Sequence, residues 1–122
     1  MKFYGYRYGR AYGAEGVIEA MVTELLHNID AQPGCIAGDM ERGYSHEEAA
    51  AFAEECFPTD CIRETLATVF GIEVVRSCTD EDGCEWYRLV DDCRGTYSAE
   101  FALQEVETEG RAPEYALRKR PR

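Results

Sequence analysis

Residues 72–90 restrict the fold more than any other stretch. Ile72 to Cys78 is rich in β-branched residues, and Cys84 to Val90 carries Trp86, Tyr87, Leu89 and Val90. Between them lies Thr79-Asp-Glu-Asp-Gly83. Two strand-type runs joined by a short turn that ends in glycine predict a β-hairpin. Asp91 to Gly95 reads as a further turn. Residues 96–107 read as a third strand, because Tyr97, Ala99, Phe101 and Leu103 alternate, although several neighbours favour a helix.

The stretch upstream has a different period. Ile18, Met21, Val22, Leu25 and Ile29 recur at helical spacing, with Glu15, Glu19 and Glu24 outside the apolar stripe. This predicts a helix over 14–29. Pro33 and Gly34 are expected to stop it, leaving 31–44 as a long loop of the kind that carries function. Ser45-His46-Glu47-Glu48 has capping-box spacing and opens a helix to about Cys56, with Ala49, Phe52, Ala53 and Cys56 as its apolar stripe. Pro58 breaks that helix. Thr59 or Asp60 caps a third, running to about Phe70, with Ile62, Leu66 and Val69 inward and Gly71 just past its end. At the start of the chain, residues 2–12 alternate. Tyr4, Tyr6, Tyr8 and Tyr12 fall on one face and Gly5 and Gly9 on the other, which predicts a first strand. The expected fold is α+β: one small domain with a mixed, mainly antiparallel sheet of three to four strands. About three helices pack on one face of that sheet, in the order β-α-α-α-β-β-β. The domain is expected to span 1–110, with 111–122 a basic, flexible tail.

A chain of 122 residues buries roughly two thirds of its unfolded surface, so it needs no disulfide or metal to hold together. The longest apolar run, Ala49 to Ala53, is far short of the ~20 residues of a membrane span. No apolar leader follows Lys2, so a cytoplasmic protein is expected. The six cysteines (Cys35, Cys56, Cys61, Cys78, Cys84 and Cys93) are then expected as reduced thiols. The net charge is −11, and it is unevenly spread. Residues 13–110 hold five basic against 23 acidic side chains, a net of −18, while both ends are basic. Such a body repels nucleic acid, anionic membranes and acidic substrates and attracts basic partners. Acidity also serves solubility alone.

Motifs for catalysis are missing from the sequence. There is no G-x-x-x-x-G-K-[ST], no strand-linked G-x-G-x-x-G and no G-x-S-x-G. Cys56 and Cys61 are not spaced as a zinc knuckle, so a zinc-stabilised interaction domain stands only as an alternative. Cys78 and Cys84 are placed to close the hairpin. Cys61 lies near a helix start, but Glu54, Glu55, Asp60 and Glu64 oppose a thiolate there, and His27 and His46 are the only imidazoles. Asp80-Glu81-Asp82 lacks the spacing of an EF-hand loop. Tyr4, Tyr6 and Tyr8 with Arg7 and Arg10 suit stacking on single strands, but the acidic body opposes direct nucleic-acid binding. They stand instead as aromatic contact candidates for a protein partner. A small-ligand module or enzyme is the second alternative, with a pocket beside the tyrosine strand and the 31–44 loop over it.

What remains is a set of carboxylates. Glu47 and Glu54, and likewise Glu48 and Glu55, stand seven residues apart and return to one helix face. Together with Asp80, Glu81 and Asp82 they are the candidate partner-binding residues. Rows of carboxylates on a rigid helix imitate nucleic-acid phosphates. The expected function is therefore a non-enzymatic, acidic protein-binding inhibitor that needs no cofactor. Its expected partner is a basic protein, for instance a nucleic-acid-binding complex. Small phage-encoded inhibitors of host defence nucleases, anti-CRISPR proteins among them, share this size and charge.

Overall fold

The computed structural model describes residues 14–91, 95–106 and 114–121. Helix α1 (Ala14–Glu41) is followed by α2 (His46–Cys56) and α3 (Asp60–Phe70). Strands β1 (Ile72–Thr79), β2 (Glu85–Asp91), β3 (Gly95–Val106) and β4 (Glu114–Pro121) complete the order. The α+β class is as the sequence predicts. The tyrosine strand expected over 2–12 lies outside the described residues.

The strands form one antiparallel meander, β1-β2-β3-β4. Alternation divides their side chains between two faces. Ile72, Val74, Leu89 and Phe101 meet Met21, Val22, Leu25 and Leu26 of α1 and Ile62 and Leu66 of α3 in the core, with Tyr87, Leu103 and Leu117 packed against it. The helical stripe read from 14–29 therefore faces the sheet. The hairpin turn closes through Asp80, whose Oδ1 accepts hydrogen bonds from the Asp82 amide (3.0 Å) and the Cys84 amide (2.9 Å). Gly83 supplies the positive φ (82°) that the reversal requires.

Three expectations are corrected. First, α1 does not stop at Ile29 but continues through Pro33 to Glu41, so 31–41 is not a loop. Proline removes one helical hydrogen bond, a cost of ~3 kcal/mol in a helix interior. Tertiary contacts offset that loss. Asn28 Nδ2 donates to the Pro58 carbonyl (2.7 Å), and Gln32 Nε2 donates to the Phe57 carbonyl (2.8 Å) and to Glu54 (3.1 Å). These bonds hold the α2–α3 corner against the turn of α1 that leads into the proline. Second, residues 114–121 are not a solvated tail. They pair with β3 from Ala99↔Pro121 to Val106↔Glu114 and form an edge of the sheet. Basic composition concealed the strand, because Arg118 and Arg120 face away from the helices while Leu117 and Lys119 face towards them. Lys119 pairs with Glu19 of α1. Third, burial on the short helices is narrower than predicted. Ala49 and Ala53 are buried, but Phe52 and Cys56 on α2 and Val69 on α3 are exposed. Helix α2 packs chiefly against α1, so only a thin stripe of it is covered.

Gly34 and Gly38 now lie inside a helix, where a Cβ would meet nothing within 4 Å. Glycine costs about 1 kcal/mol relative to alanine at such positions. Gly34→Ala and Gly38→Ala are each expected to stabilise the protein by about that amount. In thermal melts each should raise Tm by about 4 °C.

Candidate protein-binding surface

The carboxylates singled out by spacing have unequal roles. Ser45 caps α2: its Oγ accepts the Glu48 amide (3.1 Å), and Glu48 Oε1 accepts the Ser45 amide (3.3 Å). Glu48 is therefore partly occupied by its own helix, with its side chain still at the surface. Glu54 is more firmly committed. Its Oε2 accepts the amides of Thr59 (2.6 Å) and Asp60 (3.3 Å), and its Oε1 accepts the Thr59 hydroxyl (2.6 Å) and Gln32 (3.1 Å). Thr59 is the N-cap of α3 but makes no side-chain cap bond of its own. Glu54 supplies that cap from the end of the preceding helix, where an anion also suits the α3 dipole. Burial pushes the Glu54 carboxyl up. The hydrogen bonds from Thr59, Gln32 and Asp60 together outweigh it and hold the group below its ordinary value.

Glu47 and Glu55 remain exposed on α2, and Asp60 and Glu64 are exposed on α3. Among the described residues, no side chain pairs with Glu47, Glu55 or Glu64. Helices α2 and α3 carry six carboxylates and one arginine, Arg63, whose guanidinium is turned to the Val74 carbonyl (3.1 Å). In the hairpin turn, Glu81 and Asp82 are exposed, whereas Asp80 is engaged. The Trp86 indole N–H donates to Asp80 Oδ2 (2.8 Å), and this bond, with the Cys84 and Asp82 amides, holds the Asp80 carboxyl below the usual range.

Beside these helices stands an aromatic pair that the spacing of residues did not single out. Tyr44, in the α1–α2 turn, meets Phe52 edge to face, with ring centroids 5.2 Å apart and planes at 85°. The two residues are 44% and 38% exposed. Gly43 (φ 99°) makes the turn that brings Tyr44 over α2. Sequence spacing does not reveal the pair, because it assigns Tyr44 to a loop and Phe52 to the buried stripe of α2. The signal was present in Ala49 and Ala53: a helix that buries two alanines packs closely there, which leaves Phe52 on the flank.

The outer face of the sheet holds the second unforeseen cluster. Trp86, only 2% exposed, lies beneath the guanidiniums of Arg118 (5.1 Å to the ring centroid) and Arg120 (4.0 Å). Arg120 pairs with Glu100 through Nε (3.1 Å) and Nη2 (2.8 Å), and Nη2 also reaches Cys78 Sγ (3.0 Å). The pairing with Glu100 strengthens the charged form of Arg120.

Cys78 stands opposite Trp86, not Cys84, so these cysteines do not bridge the hairpin. Cys35, Cys56, Cys78 and Cys84 are free thiols, Cys61 lies in the first turn of α3, and Cys93 falls outside the described residues. Among the described residues no three histidine, cysteine or acidic side chains converge as a metal site, so the zinc alternative finds no donor set there. Tyr4, Tyr6 and Tyr8 lie outside the described residues. The lid imagined for a ligand pocket beside them is largely the second half of α1. His27 packs against Tyr115 (4.4 Å) and Phe57 (6.1 Å), away from His46 at the start of α2. No described helix is long and apolar enough to cross a membrane.

Glu54→Gln keeps the shape but removes the charge on which four bonds converge. It is expected to cost about 2 kcal/mol near neutral pH. A carboxyl held low in the native state stabilises the fold above its ordinary value of 4.5. That contribution is lost as pH falls through the native value. Urea unfolding should show the gap between wild type and variant closing as pH falls below the ordinary carboxylate range. A gap independent of pH would contradict this role.

Comparison of the chain with protein-family models, with curated proteins and with solved structures gave no match.

Proposed function

We propose that this chain is a non-catalytic protein-binding module that docks the acidic surface of α2 and α3 on a basic surface of a partner protein. The observation that carries this reading is the charge of Glu47, Glu55 and Glu64, which no side chain among the described residues compensates. The described cations that have partners find them elsewhere: Lys119 on Glu19, Arg120 on Glu100, Arg76 on Glu85 and Arg42 on Asp39. Carboxylates left open on a short, capped helical corner are held in a fixed pattern. Water and mobile ions surround them until a cationic surface displaces both. A groove that ordinarily receives nucleic-acid phosphates is the most direct fit, and occupying it would inhibit the protein that owns it.

The test uses exposed residues only. Glu54 is excluded, because replacing it disturbs the α2–α3 corner. The triple variant Glu47→Lys, Glu55→Lys, Glu64→Lys is compared with wild type as bait in affinity purification from the native cell at low salt. Wild type is expected to retain a basic, nucleic-acid-handling partner. Salt should release it as the Debye length shrinks from ~10 Å at 0.1 M to ~3 Å at 1 M. An added oligonucleotide should compete for it, and the triple variant should not hold it. A partner retained equally by the variant, or at high salt, would refute the reading.

A further inference from the structure

We infer that the exposed Tyr44–Phe52 pair is the anchor of this acidic surface and that it receives an arginine side chain from an arginine-rich segment of the partner. This rests on the proposed docking of α2 and α3 and names the group that is recognised. On a helix the neighbours of Phe52 at three and four residues are Ala49, Glu48, Glu55 and Cys56. Two of these are exposed carboxylates, one on each side of the ring along the helix. Glu48 engages its N-cap through Oε1, and Oε2 remains; Glu55 has no partner among the described residues. An exposed aromatic face between two carboxylates suits a flat, weakly hydrated cation. Such a cation stacks on the ring and forks its N–H groups to an acid. Guanidinium has that shape, and an ammonium does not.

The protein contains the occupied form of the same arrangement. Trp86 is covered by two guanidiniums from its own chain, with Glu100 and Asp80 as the flanking acids, and is almost fully shielded from water. The Tyr44–Phe52 pair has aromatic faces and acids, and among the described residues no cation stands over either ring. The guanidinium nearest in sequence, Arg42, is taken by Asp39 at 2.9 Å. Charge complementarity therefore suits an arginine from the partner, and the α1–α2 turn, shaped by Gly43 and the Ser45 capping box, sets where it would sit.

The experiment titrates the full chain with oligo-arginine and oligo-lysine peptides of equal length, by calorimetry and by the amide shifts of α2. Wild type is expected to bind the arginine peptide more tightly. Phe52→Leu and Tyr44→Leu keep apolar bulk and remove the ring. Each should weaken arginine-peptide binding about fivefold and leave the lysine peptide and the salt slope unchanged. Glu47→Lys with Glu64→Lys should weaken both peptides alike. Equal affinity for the two peptides, or ring variants that match wild type, overturns the arginine anchor. The docking reading survives that result if the charge variants still lose binding. Salt-insensitive binding, or no binding, of either peptide overturns both. Concentration-dependent self-association that Phe52→Leu abolishes would assign the pair to a second copy of the chain and refute the proposal. Unchanged melting temperatures of the leucine variants show that the fold is intact, as expected for exposed positions.

Discussion

Glu54 accepts hydrogen bonds from Thr59, Asp60 and Gln32, and those bonds determine how α2 and α3 leave α1. The carboxylate replaces the missing side-chain cap of α3 and meets Gln32 of α1 at the same point. Asn28 and Gln32 complete the corner by holding the carbonyls of Pro58 and Phe57. Without this convergence, Pro33 would be a natural end for α1, and α2 would have only two alanines to hold it in place. The direction in which Glu47, Glu55 and Glu64 face follows from the corner, while the Gly43 turn at the other end of α2 brings Tyr44 to Phe52.

Charge is sorted by layer. On the outer sheet face, Arg118, Arg120, Glu100, Asp80 and Trp86 satisfy one another. On the inner face, Lys119 reaches across to Glu19. Glu47, Glu55 and Glu64 on the short helices are left without charged counterparts among the described residues. Exposed ion pairs of this sort contribute little to stability. Their effect here is to leave a negative field over α2 and α3, beside exposed aromatic rings. A surface that combines charge with aromatic anchors suits protein recognition: the charge speeds encounter, and the rings supply the desolvated contacts that hold.

Local rules captured much of this molecule. The capping box at Ser45, the glycine after α3 and the hairpin around Asp80 to Gly83 each depend on neighbours within a few residues, and all three form as the sequence predicts. The apolar stripe of α1, Ile62 and Leu66 of α3 and Phe101 of β3 were legible for the same reason: hydrophobic period reports which face is covered. Errors arose where a distant segment overrode a local signal. Pro33 marks a helix end unless Asn28 and Gln32 find partners about 25 to 30 residues away. Arg118-Lys119-Arg120 reads as solvated unless a strand is waiting for its backbone and Trp86 for its guanidiniums. Glu54 looks like a surface acid unless α3 begins against it.

From residue order alone come the helical and strand periods, the turns, the α+β class and the acidity of the body, because all of these rest on local chemistry or simple composition. Long-range packing decided which carboxylates are spent on the fold and which stay open. It also decided that β4 exists and that Phe52 lies at the surface beside Tyr44. Spacing along a helix reports only that two groups share a face. Whether that face meets water, an amide or a ring depends on which other element arrives there.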